Sequence, residues 1–156
     1  MEICYIETPL GIAKIVGDAS GVSIISIDAN AQIIIDIPDV LKDCVTQLRE
    51  YFDGKRQIFD FEINQTGTDF QQKVWLELQN IPFGKTISYL DLAKKLGDSK
   101  VIRAAASANG KNKLWIVVPC HRVIGTDGSL TGYAGGLWRK KWLLEHENPT
   151  MQLGLF

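Results

Sequence analysis

The sequence predicts an α+β protein in two parts, a small antiparallel sheet with a helix followed by a mainly helical domain. Over roughly the first 63 residues, short alternating apolar runs are separated by Gly, Pro and Ser turns, the pattern of half-buried strands. Beyond residue 68 the apolar spacing turns helical. Charge separates as well: residues 1–80 carry 6 Lys+Arg against 13 Asp+Glu, a net of −7, and residues 81–156 carry 11 against 5, a net of +6. A formal charge of −1 conceals a dipolar chain whose second half is suited to meet a polyanion.

Composition narrows the class. With 46% apolar and 22% charged residues, the 156-residue chain can bury a core and is not a disordered polymer. No apolar stretch approaches the ~20 residues of a membrane-spanning helix. The N-terminal Met1-Glu2-Ile3-Cys4-Tyr5 lacks the basic-then-apolar order of a signal peptide. Three scattered cysteines, Cys4, Cys44 and Cys120, make no disulfide framework, so a reducing, cytoplasmic location and no membrane are expected. Two histidines and no CxxC pair leave a zinc site without ligands.

Strands are predicted at Ile3 to Glu7, Ile12 to Gly17 and Val22 to Asp28, divided by Thr8-Pro9-Leu10-Gly11 and Ala19-Ser20-Gly21 turns. Asp39 is placed to cap a helix through Phe52. There Val40, Leu41, Cys44, Val45, Leu48 and Tyr51 fall near a 3.6 period, and Asp53-Gly54 ends it. Cys44 reads as a small core residue on that stripe. A strand from Gln57 to Ile63 then leads into Asn64-Gln65-Thr66-Gly67, where the boundary is drawn. Residues 1–67 form a scaffold domain, residues 68–147 a second domain, and residues 148–156 a tail.

In the second domain Thr68 can cap a helix to about Gln79, with Phe70, Val74, Trp75 and Leu78 on one face. Ser88 and Asp91 make a capping-box pattern for a short helix closed by Gly97, and Asp98 or Ser99 opens the next, broken at Asn109-Gly110. Two short helices about a tight turn read as a helix-turn-helix. The second carries Arg103 and an alanine run, a flat face able to approach a groove; small residues equally favour packing against another helix.

Chemistry concentrates after Trp115-Ile116-Val117-Val118, a strand-like run that ends at Pro119-Cys120-His121-Arg122. One Cys beside one His is either a nucleophile with its base or core filler. Arg122 and the basic half suggest an electropositive site that stabilises a thiolate. A free thiol is already about 3% ionised at pH 7, so ionisation adds at most about thirtyfold. Alignment for in-line displacement and leaving-group assistance must supply the rest.

Pro119-Cys120-His121-Arg122-Val123-Ile124-Gly125, Gly132-Tyr133-Ala134-Gly135-Gly136-Leu137 and Leu143-Leu144-Glu145-His146-Glu147 together resemble the O6-alkylguanine-DNA alkyltransferases, or methylated-DNA:protein cysteine methyltransferases. The resemblance spans residues 68–147, and the first half is compatible with the family's plan of a ribonuclease H-like domain before a winged-helix-like one. It implies a DNA-repair protein that flips an alkylated guanine, with O4-alkylthymine open as a second lesion, out of duplex DNA. The alkyl group passes irreversibly to a cysteine, with no cofactor and no turnover.

On this resemblance Cys120 is the acceptor, His121 the base that reaches it through a water, and Glu147 the carboxylate that orients His121. Tyr89 is the phenol that protonates or hydrogen-bonds the departing guanine. Arg103 is the finger that fills the gap in the base stack, with Ala104 and its neighbours in the minor groove. Asn112 is the hinge between recognition helix and active-site strand. The carbonyls of Cys120 and Val123 and the N–H of Ala134 meet the guanine edge, while Trp115, Arg122, Tyr133 and Gly135 complete the DNA and base contacts. Read without it, Tyr89 is core, Arg103 a surface cation and Asn112 a turn former. A minor-groove approach suits a repair protein, because that groove carries little sequence information.

Trp115 stands where a smaller residue is frequent, which predicts altered tolerance of bulky adducts. Gly110 stands where a basic residue is frequent, leaving Lys111 and Lys113 as substitutes. The zinc site of some members is unsupported. Gln152, Leu153, Leu155 and Phe156 resemble the QLxLF motif by which bacterial proteins dock on the sliding clamp; an apolar tail folded on its own domain is the alternative. The expected state is a monomer. The runner-up function is a non-transferring alkyl-lesion sensor or a helix-turn-helix DNA-binding module; such sensors lack the acceptor cysteine, which this chain keeps. A Cys-His hydrolase would instead turn over.

Overall fold

Three strands open the chain, β1 (Glu2–Thr8), β2 (Gly11–Asp18) and β3 (Gly21–Ile27), in an antiparallel meander of order β1-β2-β3. The computed structural model describes residues 1–28, 30–34 and 36–150. The Gln152, Leu153, Leu155 and Phe156 motif lies outside them. The described residues divide into two compact units, one ending at Thr66 and one beginning at Gly67.

In the first unit the register pairs Cys4 with Ile15 and Ile15 with Ile25, and Ile6 with Ala13. The pleat therefore turns Cys4, Ile6, Ala13, Ile15 and Ile25 to one face, and all five are buried. A 3-10 turn at Asp39–Leu41 leads into α1 (Lys42–Phe52), which buries Cys44, Val45, Leu48 and Tyr51 as its period predicts.

Three expectations fail here. Asp39 makes no capping bond and instead pairs with Lys42 Nζ at 2.7 Å. Val40 is exposed, and Gln47 is buried in the helix where its amide receives the Asp60 N–H at 3.0 Å. The strand from Gln57 to Ile63 shrinks to one parallel bridge between Val22 and Ile63. Side chains have taken its backbone groups: Arg56 Nη1 donates to the Ile58 carbonyl at 2.8 Å, and Gln47 holds Asp60. At that bridge Gly21 has φ +132°, and a Cβ there would lie 2.9 Å from the Ile63 carbonyl carbon, so only glycine fits.

The second unit begins with α2 (Asp69–Gln79), capped by the reciprocal Thr68–Gln71 box. Its Trp75 Nε1 donates to the Ala108 carbonyl at 2.9 Å. β4 (Ile87–Ser88) runs directly into α3 (Tyr89–Lys95), capped by the Ser88–Asp91 box. Gly97 turns the chain at φ +100°, Asp98 caps a 3-10 turn at Ser99–Val101, and α4 (Ile102–Gly110) follows. α4 runs through Asn109-Gly110 instead of breaking before it. The buried Asn109 amide bonds to other segments and does not compete for its own backbone.

The run before Cys120 is a turn, not a strand. Val118 N–H donates to the Leu114 carbonyl at 2.9 Å, and Ile116 sits at φ 74°. Asn112 closes that turn, accepting from the Leu114 N–H at 3.0 Å and donating to the Val118 carbonyl at 2.7 Å. After a 3-10 turn at Cys120–Arg122 comes β5 (Val123–Ile124), parallel to β4, and α5 (Leu137–Glu147) completes the unit. No helix of the described residues is long and apolar enough to cross a membrane.

Candidate active site

Two residue pairs bring the site together. Ile87 pairs with Val123 and Ser88 with Ile124, so Tyr89, next after Ser88, comes beside the turn that holds Cys120. The thiol is 5% exposed. It faces a narrow pocket of about 10 Å³ lined by Asn112, Trp115, Tyr133 and Ala134 among others. A wider cavity of about 660 Å³ adjoins it, sharing Asn109, Tyr133 and Ala134, with Tyr89 and Arg103 in its wall.

Behind the thiol lies a buried ionic cluster. Glu147, the last residue of α5, is met by His121 Nε2 at 2.8 Å, Arg122 Nε at 2.8 Å and Arg122 Nη2 at 3.0 Å. A carboxylate at a helix C-terminus opposes the helix dipole. Burial would also raise its pKa, but His121 and Arg122 outweigh both and hold the carboxyl well below its usual range. Burial lowers the His121 pKa against the pull of Glu147, so the imidazole is neutral near pH 7. An anionic Glu147 then requires the proton on Nε2, which leaves Nδ1 as the basic atom. That nitrogen is buried and has no hydrogen-bond partner in the described residues.

Two expectations are corrected here. Arg122, expected at DNA or base, is 6% exposed and turned inward, its remaining Nη1 donating to the Ile81 carbonyl at 2.7 Å. Nor does the site rest the cysteine as a thiolate: burial pushes the Cys120 thiol up, and Asn112, Lys140 and nearby backbone N–H groups only partly offset it. The cation whose charge acts on Cys120 is Lys140. This residue is fully buried, its Nζ donates to the Thr131 carbonyl at 2.7 Å, and burial lowers its pKa to about 8.

The structure places the other candidates as follows. α4 has two faces: Ala105, Ala108 and Asn109 pack inward, and Arg103, Ala104, Ser107 and Gly110 are exposed. The packing and groove readings of the alanine run each hold for one face. Trp115 and Tyr133 lie with ring centroids 5.6 Å apart, and a Cβ on Gly135 would press within 3.0 Å of both rings. Val123 is buried in β5. Asn112 braces the Cys120 turn and is not a hinge to a strand.

Sequence reading passed over Lys140, Asn109 and Thr131. Lys140 looks solvated within Arg139-Lys140-Lys141, yet it precedes Leu143, Leu144 and Glu147 by three, four and seven residues, the spacing of one buried helix face. Asn109-Gly110 imitates a helix stop. Thr131 carries no local signal.

Residues 69–149 match the family profile described as 6-O-methylguanine DNA methyltransferase, DNA binding domain, and residues 3–65 match that of its ribonuclease-like domain. A methylated-DNA–protein-cysteine methyltransferase of Methanosarcina acetivorans is 38% identical over 154 residues, 94% of this chain and 98% of its own. One of the same name from Mycobacterium bovis is 50% identical over 110 residues, 70% of this chain and 67% of its own. The crystal structure of Mycobacterium tuberculosis OGT in complex with DNA superposes with a TM-score of 0.86 at 40% identity, covering 96% of this chain and 94% of that one. The chain belongs to the 6-O-methylguanine DNA methyltransferase family, and its α+β fold is the one that the sequence predicts.

Proposed function

We infer that this chain repairs DNA by moving the alkyl group of O6-alkylguanine onto Cys120, once per molecule. The carrying observation is a buried thiol next in the chain to His121, whose Nε2 is tied to Glu147 and whose Nδ1 has no hydrogen-bond partner in the described residues, with Tyr89 in the wall of the adjoining cavity. His121 Nδ1 takes the thiol proton, through a bridging water as the resemblance implies. As Sγ bonds to the alkyl carbon, the carbon–O6 bond breaks and its electron pair passes to the guanine. Tyr89 protonates the departing base. The proton lost by Cys120 equals the one gained by guanine, so the products are an S-alkylcysteine and an intact base. Lys140 steadies the thiolate as it forms.

The exposed Arg103–Ala104 face of α4 supports minor-groove binding, with Arg103 filling the space of the flipped base. Three free cysteines, all buried, support the cytoplasm as the location. The terminal Gln152, Leu153, Leu155 and Phe156 dock on a bacterial sliding clamp. Truncation after Thr150 is expected to abolish clamp binding, and undiminished binding would reject the docking.

The deciding experiment measures intact mass after incubation with a duplex containing one O6-methylguanine. A single methyl gain, absent in Cys120→Ala, is the expected result. Binding without mass gain identifies a lesion sensor, and turnover identifies a hydrolase.

A further inference from the structure

The phenol oxygen of Tyr89 is met by the Asn109 side chain, and Thr131 lines the cavity beside it. Asn109 Nδ2, from α4, donates to Tyr89 Oη and to the Cys120 carbonyl, each at 3.4 Å. Thr131, from the loop before α5, lines the same cavity as the phenol, and its side chain acts on the phenol in the direction that lowers the Tyr89 pKa. Its carbonyl meanwhile anchors Lys140, whose Nζ stands 5.8 Å from the Tyr89 ring centroid.

Asn109 is a poor choice for stability alone. It is 3% exposed, yet its Oδ1 is buried with no hydrogen-bond partner in the described residues. A desolvated, unpaired acceptor is costly, and an apolar residue of the same shape would avoid it. What the amide does accomplish is to put an N–H on Tyr89.

We propose that Asn109 and Thr131 are positioning residues for the proton-donating phenol, aiming Tyr89 Oη into the cavity and holding the phenolate formed when it gives up its proton. The proposal rests on the alkyl-transfer reading above. In the step concerned the Tyr89 O–H bond breaks and its proton goes to a ring nitrogen of the departing guanine, which has just received the electron pair of the carbon–O6 bond. The phenolate accepts from Asn109 N–H and the Thr131 hydroxyl, until the proton that Cys120 lost to His121 restores it. A 3.4 Å contact to a neutral phenol is loose, and it shortens as the oxygen becomes anionic. Burial and the neighbouring Cys120 raise the Tyr89 pKa, and the side chains of Asn109 and Thr131 oppose that rise, the direction the role requires.

Single-turnover methyl transfer from an O6-methylguanine duplex, measured for Asn109→Leu, Thr131→Val, Tyr89→Phe and the two double variants, tests this. Asn109→Leu is expected to slow transfer about tenfold and Thr131→Val about threefold, the range for loss of one hydrogen bond to a developing charge. Neither is expected to slow Tyr89→Phe further. Lesion affinity should hold, and the melting temperature of Asn109→Leu should not fall below wild type. Equal slowing with and without the Tyr89 hydroxyl overturns the proposal, as does unchanged transfer in both single variants. Thr131 is exposed, so Thr131→Val keeps the test decisive if Asn109→Leu disturbs the Cys120 turn. Loss of any Cys120-dependent methyl gain in the wild type overturns the repair reading itself; normal wild-type transfer with additive slowing overturns this proposal alone.

Discussion

The two units bury very different interiors. Of the seven buried polar or charged residues described, only Gln47 lies in the first unit; Asn109, Asn112, His121, Arg122, Lys140 and Glu147 all lie in the second. The three cysteines make the same contrast. All are buried and all have raised pKa values. Cys44 sits in an apolar sheet-helix core, and Cys4 has one charge acting on it, Arg49, which only partly offsets burial. Cys120 has Asn112, Lys140 and backbone N–H groups around it. Burial alone makes a thiol inert; polar groups buried alongside it at a cost to stability make it usable.

The largest effect that would sharpen this contrast is all-or-none. Cys120→Ala should abolish methyl gain, and the double variant Cys4→Ala, Cys44→Ala should retain it, both read by intact mass. Transfer surviving in the first or lost in the second would break the distinction.

Glu147→Ala comes next. It leaves Arg122 charged, buried and unpaired, so about 3–5 kcal/mol of stability should disappear in urea unfolding, together with transfer. Replacing Arg122 and Glu147 together by leucine should recover much of the stability and none of the transfer. Recovery of both would mean that the cluster only packs.

Tyr89→Phe should slow transfer about 100-fold, the lower range for general acid catalysis, with lesion binding nearly intact. An unchanged single-turnover rate would remove Tyr89 from the mechanism.

Lys140 makes the contrast depend on pH. Its folded pKa of about 8 lies below the unfolded value of 10.5, so between those values the unfolded chain binds the extra proton. Stability from this residue therefore rises with pH across that window, while the burial penalty is fully present below about pH 8. Lys140→Met should be more stable than wild type at pH 7, with the difference shrinking toward pH 10.5, and should transfer more slowly below about pH 8. A pH-independent difference would place the ammonium elsewhere.

The smallest effect concerns the pocket wall. Trp115 lines the space before Cys120. Trp115→Ala should raise the ratio of benzyl to methyl transfer rates several-fold, the discrimination that a small change of fit in an apolar pocket supplies. A ratio that does not move rejects a steric role.

Much of this was legible in the chain because it depends on neighbours in sequence. The Thr68–Gln71 and Ser88–Asp91 boxes, the turn at Gly97 and the three-strand meander are set by residues within a few positions of one another. Misreadings arose where a distant group intervened. Gln57 to Ile63 has a strand's alternation, but Arg56 and Gln47 occupy its backbone. Trp115 to Val118 has a strand's composition, but Asn112 folds it into a turn.

By itself, then, the sequence determined the α+β class, the capped helices, the basic second half and the motif around Cys120, because periodicity, capping and composition act locally. Only the tertiary structure decided that Arg122 turns inward to Glu147, that Lys140 is buried where its charge acts on Cys120, and that Asn109 reaches Tyr89 across 20 residues of chain. Whether a charged side chain is solvated or buried depends on which distant segments close over it, and desolvation, not residue type, sets its protonation and its partner.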